Sequence, residues 1–151
     1  MGWSAGWYGG TGHDRLPAGG RAVPGLDRPW TVGWPGAQVR AAGHGSVALA
    51  VIGEYGADKD QLERALPVVR AKGWRALTRW PGSYLTIARS GEVLAVIGDL
   101  AGQHPVYWRT DGAGTWMRGG VIPAVRLAPR LGIGDGRTVG ITRTPSPTRR
   151  T

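Results

Sequence analysis

The sequence predicts an α+β domain, and three observations carry that prediction. Asp58 to Gly73 repeats apolar residues at helical spacing. A short apolar run, Ser46 to Gly53, stands just before it, and strand-like runs broken by glycine-containing turns follow it from Ser83 to Met117. Strand, helix, then four antiparallel strands is the order of a fold whose helices pack on antiparallel sheets.

Each element has a local reason. Residues 1–12 mix aromatic residues with glycine and read as a short strand that enters a loop. Residues 13–45 hold Pro17, Pro24, Pro29 and Pro35 with many glycines and no sustained period, which predicts loops with short strands around Trp30 to Trp34. Ser46 to Gly53 (SVALAVIG) is apolar and bounded by glycine, a buried strand. In the helix, Leu62, Leu66 and Val69 form the stripe while Glu63, Arg64 and Arg70 lie outside it. Asp58 or Asp60 caps it, because a short carboxylate accepts from the free amides of the first turn. Pro67 kinks this helix or marks a junction between two shorter ones, and Gly73 stops it. Ser83–Arg89 and Glu92–Ile97 flank a Ser90-Gly91 turn, and Pro105–Arg109 and Gly114–Met117 flank a second turn at 110–113.

Composition narrows the function classes. With no cysteine, disulfide scaffolds, thiolate metal sites and cysteine nucleophiles are excluded. The net charge of +9 is uneven: residues 1–117 carry +3 and residues 118–151 carry +6, from seven arginines against Asp135. The chain therefore divides into a domain at 1–117 and a basic Arg/Pro-rich tail at 118–151, expected to be disordered or translated out of frame. The longest apolar run, Val47 to Ile52, is six residues, against the roughly 20 that a membrane span needs. MGWSAGWYGG has neither a basic nor an apolar leader region, so a cytoplasmic location and no membrane partner are expected.

The segment Arg79 to Trp108, RWPGSYLTIARSGEVLAVIGDLAGQHPVYW, holds Gly82-Ser83-Tyr84, a hairpin, Asp99-Leu100-Ala101-Gly102 and Pro105-Val106-Tyr107. This block resembles the glutamine-amidotransferase domains of the asparagine synthetase family, and its wording is most similar to the cyclases that close the isopeptide ring of lasso peptides. Gly53-Glu54-Tyr55 resembles that family's Asn-Gly-Glu element, and Asp58 to Leu62 resembles its helix start. The resemblance covers residues 46–116 well, residues 1–12 by position only, and the tail not at all. It implies an N-terminal-nucleophile (Ntn) fold, an αββα sandwich of antiparallel sheets, incomplete here at the C-terminus. Because it stops near Trp116, where family members continue to a further strand and a synthetase domain, a truncated N-terminal fragment is expected.

The chemistry that the resemblance implies is not kept. The family's nucleophile is a cysteine exposed by removal of the initiator methionine, and its own α-amino group is the base. Gly2 occupies that position here, and Ser4 would serve only after three residues were trimmed. The family's Asn-Gly pair donates to the developing oxyanion, but Ile52-Gly53 stands in its place. For the grip on a glutamine carboxylate the nearest candidate is Arg40. Vestigial binding residues are Gly53, Glu54 and Asp58, with Asp58 matching the acidic residue that reads the glutamine amine or serving as the helix cap.

No catalytic residue and no glutaminase activity are therefore expected. ATP and magnesium are expected only for a synthetase domain carried elsewhere, since Gly9-Gly10-Thr11-Gly12 and Gly132-Ile133-Gly134 lack the residues of a phosphate cradle. The expected partners are that ATP-dependent synthetase domain or chain and a precursor peptide.

The remaining features point to structure. His13, His44 and His104 lack metal-ligand spacing, so no metal site is expected. Asp99 stabilises the turn after its strand. The eight tryptophans, in a chain without phenylalanine, fill the core, Trp80 and Trp108 foremost, or form a contact surface. The alternative function is a small basic nucleic-acid-binding protein, in which arginines neutralise phosphates and aromatic faces stack on bases. It is disfavoured because the charge sits in the tail, apart from the aromatic residues.

Overall fold

The alternation of β5 (Val47–Tyr55) organises the molecule: seven consecutive residues, Val47 to Gly53, are buried, so both faces of this strand are covered. In the computed structural model, which describes residues 2–8, 16, 18–101, 103–111, 114–120, 132–133 and 139–141, side chains are described for 2–6, 16, 18–101 and 103–107. The strands are β1 (Trp3–Tyr8), β2 (Gly20–Ala22), β3 (Trp30–Val32), β4 (Val39–His44), β5, β6 (Gly82–Ser90), β7 (Val93–Ile97), β8 (Val106–Asp111), β9 (Gly114–Gly120), β10 (Gly132–Ile133) and β11 (Val139–Ile141). One α-helix, α1 (Lys59–Arg70), follows β5. The strands form two antiparallel sheets, ordered β10-β8-β9-β1-β3-β2 and β11-β7-β6-β5-β4. The fold is α+β, as the sequence predicts.

Residues that alternate along the second sheet build two cores. Ala48, Ala50, Ile52, Leu85, Ile87, Leu94 and Val96 cluster with Val23, Leu26 and Val106, which come from the first sheet and its loops. On the opposite face Val47, Leu49, Val51, Tyr84, Ala88 and Ile97 cluster with Leu62 and Val69 of α1 and with Leu77. The layers are thus sheet, sheet, helix. Of the αββα arrangement, one helical layer is present among the described residues.

Asp58 takes the capping role: its Oδ1 accepts from the Gln61 amide at 2.7 Å, and Gln61 Oε1 accepts from the Asp58 amide at 2.8 Å. Both orphan donors are satisfied reciprocally, a capping box. Pro67 lies within a single helix that runs on to Arg70, so it marks no junction. The stop is one residue earlier than expected. Lys72 adopts φ +59°, its amide bonds to Val69 O and that of Gly73 bonds to Val68 O, the closing pattern of a Schellman motif.

Several connections differ from their sequence reading. Ser90 pairs with Val93, so the turn is Gly91-Glu92, with Gly91 at φ +58° in the position that type II′ hairpins give to glycine. The four strands after the helix divide between sheets: β6 and β7 join β5, whereas β8 and β9 join β1. Asp99 anchors that crossing, its Oδ1 accepting from the His104 amide at 3.0 Å and its Oδ2 from Ser83 Oγ at 2.9 Å. This is the turn-stabilising role expected of it.

Within 13–45 the loop reading misses β4, a full edge strand paired with β5 from Val39 to His44. VRAAGH is a weak strand former by composition, and the long apolar β5 beside it decides its conformation. β9 crosses the 117/118 boundary, with Arg118 paired to Ala5 and Gly120 to Trp3. In the tail, β10 pairs with β8 and β11 with β7. The rest of the tail, the 112–113 turn, His13 and the 9–12 glycines lie outside the described residues, as does the Trp108 side chain. Trp80 is partly buried against the helix-side core, and Trp30 is 7% exposed.

Candidate functional site

Gly53 and Glu54 sit where β5 meets β6. Gly53 has φ +128° inside the strand, and a Cβ there would come within 2.6 Å of Ser83 O. Gly82, diagonally opposite, also has φ +128°, and a Cβ on it would run into Glu54 O. Both positions need glycine because the two backbones approach closely, so packing accounts for Gly53 without any substrate. The Glu54 backbone pairs with Ser83, and its side chain is exposed.

Four residues further on, the chain reaches the exposed start of α1 and Asp58 in its capping box. Arg40, on β4, donates from Nη1 to Ala57 O at 2.8 Å and holds its guanidinium 5.3 Å from the Tyr55 ring centroid. Gly53, Glu54, Asp58 and Arg40 therefore converge on one corner, between the ends of β5 and α1. The Tyr55 hydroxyl is buried there and makes no hydrogen bond. Burial pushes its phenol up to about 12, against the opposing pull of Arg40.

Gly2 is elsewhere, in the segment that opens β1 of the other sheet. A Cβ at Gly2 would lie 2.6–2.8 Å from three atoms of the Trp34 indole. Trp34 packs in turn against the core between the sheets, with its ring centroid 5.9 Å from that of His104. The position that the resemblance assigns to the nucleophile is thus covered by an aromatic ring, a feature the sequence did not signal.

Ser83, Asp99 and His104 lie together but cannot act as a catalytic triad. Triad chemistry needs an imidazole between hydroxyl and carboxylate, to take the hydroxyl proton. Here the carboxylate lies in the middle, and His104 contributes its backbone amide while its ring packs on Trp34. Ser83 Oγ donates its proton to Asp99, the arrangement of a structural turn. Among the described residues no three His, Asp or Glu side chains are grouped to hold a metal ion, and no helix is long and apolar enough to cross a membrane.

Sequence reasoning also missed a long-range ion pair, Arg89 Nη1 to Asp27 Oδ2 at 3.0 Å, and the cleft that it borders. The available signal was a set of small residues, Ala41, Ala42, Gly43 and Gly45, all of which border that cleft. No protein-family model matches the chain, and no curated protein matches it.

Proposed function

We propose that this chain is a non-hydrolytic amidotransferase-like domain of the asparagine synthetase type, with lasso-peptide cyclases the nearest branch. Its role in this reading is to dock an ATP-dependent synthetase domain or chain and to shape access to that partner's substrate, a precursor peptide. ATP and magnesium belong to the partner, and the second helical layer of an αββα sandwich would lie on the outer face of the first sheet.

The observation that carries the non-hydrolytic part is Trp34 over Gly2: even a methyl group at position 2 would overlap the indole. The sheet-sheet-helix layering and the residue 79–108 block, which spans β6, β7 and the Asp99 crossing into β8, support the family reading.

Two measurements test it. Incubation with glutamine should release no ammonia from the native chain or from Gly2→Cys, because Trp34 bars the new thiol from the space that catalysis needs. Ammonia release by either protein refutes the non-hydrolytic reading. Calorimetric titration with a synthetase domain of this family should show saturable binding, and its absence refutes the docking role.

A further inference from the structure

Hydrogen-bond parity decides which backbone groups β4 leaves over. Gly91 N donates to Ser46 O at 3.0 Å, and the next residue, Val47, stands opposite Ser90. Antiparallel ladders alternate, so Ala48 and Ala50 also turn their backbone groups to β6, whereas Val47, Leu49 and Val51 turn theirs to β4. Their partners there are His44, Ala42 and Arg40. Val39, Ala41 and Gly43 therefore point their backbone groups away from the sheet. The Val39 amide donates to Gly36 O. The Val39 carbonyl and both backbone groups of Ala41 and Gly43 meet no partner among the described residues, where β4 is the last strand of its sheet.

Such an edge is a template for another strand unless something blunts it. VRAAGH carries neither lysine nor proline, and its pairing with β5 runs from Val39 to His44 without a bulge. Beside it, a cleft of about 750 Å³ separates residues 41–45 from residues 22–27. The second wall is held in shape by Val23 N to Pro29 O and Leu26 N to Val23 O. Side chains of an added strand that stand opposite Ala41 and Gly43 turn to the cleft side, where β4 itself offers nothing larger than a methyl group. The surroundings on that side are basic. Arg21 and Arg28 are exposed at the two ends of the 22–27 segment and Arg89 joins the lining, against the single carboxylate of Asp27. Arg40, at the far end of β4, is engaged with Ala57 O close to Asp58 and adds little to this excess.

We infer that this edge binds an extended acidic peptide as a further antiparallel strand, with its backbone bonded to Ala41 and Gly43 and its carboxylates on the cleft side. In this mode main-chain bonds supply the affinity and alternate side chains the specificity. Charge selects against the other occupants: a second copy brings the same arginines to the edge, and residues 118–151 of the chain itself carry +6. The edge does not depend on the amidotransferase reading.

Amide hydrogen exchange of the full chain, read residue by residue by NMR, tests the inference with acetyl-Glu-Val-Glu-Val-Glu-amide, a sequence that reads the same in either direction. In the free chain the Ala41 and Gly43 amides should exchange about tenfold faster, or more, than those of Arg40 and Ala42, which β5 holds. Saturating peptide should slow Ala41 and Gly43 to the rates of their neighbours. The counterpart with lysine for glutamate should bind about tenfold more weakly, because cross-strand attractions become repulsions. A peptide N-methylated at its glutamates keeps the charge but loses the donors that face the edge, so it should protect neither amide. Ala41→Pro removes an outward donor, spares the bonds to β5 and should abolish protection of Gly43, proline being tolerated on edge strands. Should that variant fail to fold, the N-methylated peptide decides on the native chain. Protection of both amides in the free chain that grows with protein concentration assigns the edge to a second copy and overturns the proposal. So do slow exchange of both amides without peptide, equal protection by the lysine or N-methylated peptide, and no protection by the acidic one.

Discussion

On the helix side of β5, Val47, Leu49 and Val51 share a core with Leu62 and Val69 of α1, and every one of these is at most 3% exposed. On the other side, Ala48, Ala50 and Ile52 share a core with Val23 and Leu26. The first face is filled by branched side chains. The second carries alanine at 48 and 50, which Val23 and Leu26 cover, and the face opens only at the β4 edge, where Ala41 and Gly43 border the cleft. Both faces of β5 are thus packed, one by its own branched side chains and the other by side chains from across the sheets that reach over its alanines, and the looser packing begins one strand further out, at β4.

The sharpest way to break this comparison is a pair of substitutions of opposite sense. Leu49→Ala should cost about 2–5 kcal/mol, because a cavity forms where nothing can collapse. Ala41→Val, which adds bulk beside the open cleft, should change stability by less than about 0.5 kcal/mol. Urea denaturation measures both. A loss in Ala41→Val of the size expected for overpacking, about 1–3 kcal/mol, would mean that the second face is as full as the first.

The two tyrosines near the helix side sharpen it further. Tyr84 Oη donates to Leu77 O and Trp80 O at 3.3 and 3.1 Å, so Tyr84→Phe should cost about 1 kcal/mol. The Tyr55 hydroxyl is buried without a partner, so Tyr55→Phe should leave stability unchanged or raise it near neutral pH. The pH dependence follows from the raised phenol. The folded chain holds the Tyr55 proton up to about 12, whereas the ordinary value is 10.0. The stabilisation is fully present below about 10 and is lost as pH rises from there through about 12, because the unfolded chain gives up its proton first. Denaturation midpoints across that window should fall more steeply for the native chain than for Tyr55→Phe. Equal slopes would remove Tyr55 from the account.

The helix ends give the smallest effects. Asp58→Ala should cost about 1 kcal/mol through loss of the cap. Lys72→Gly should gain up to about 1 kcal/mol by relieving a left-handed backbone at a non-glycine residue. Thermal melts of the two variants should move in opposite directions.

Much of this was legible in the sequence for a physical reason: caps, turns and alternation act over a few residues. SVALAVIG announced β5, the Leu62, Leu66 and Val69 stripe announced α1, and Asp58 was one of two possible caps. The hairpin turn was legible to within one residue, since Gly91 marks it but the pairing register sets its position. The edge strand β4 was not, because VRAAGH has little strand preference of its own and borrows its conformation from β5.

The site divides in the same way. Gly2 without a side chain and Ile52 in place of an amide donor were plain in the sequence, since each is a question of residue type. That Trp34 lies over Gly2, that Asp27 meets Arg89 across 62 residues, and that Gly43, Ala48, Ala41 and Ala50 fall into adjoining rows are facts of long-range register. The sequence by itself determined which residues lack reactive groups and where the helix and the strongly apolar strands lie. Only the tertiary structure decided which sheet each strand joined, what covers position 2 and where the small residues leave space, because those depend on pairings between distant segments that no local preference specifies.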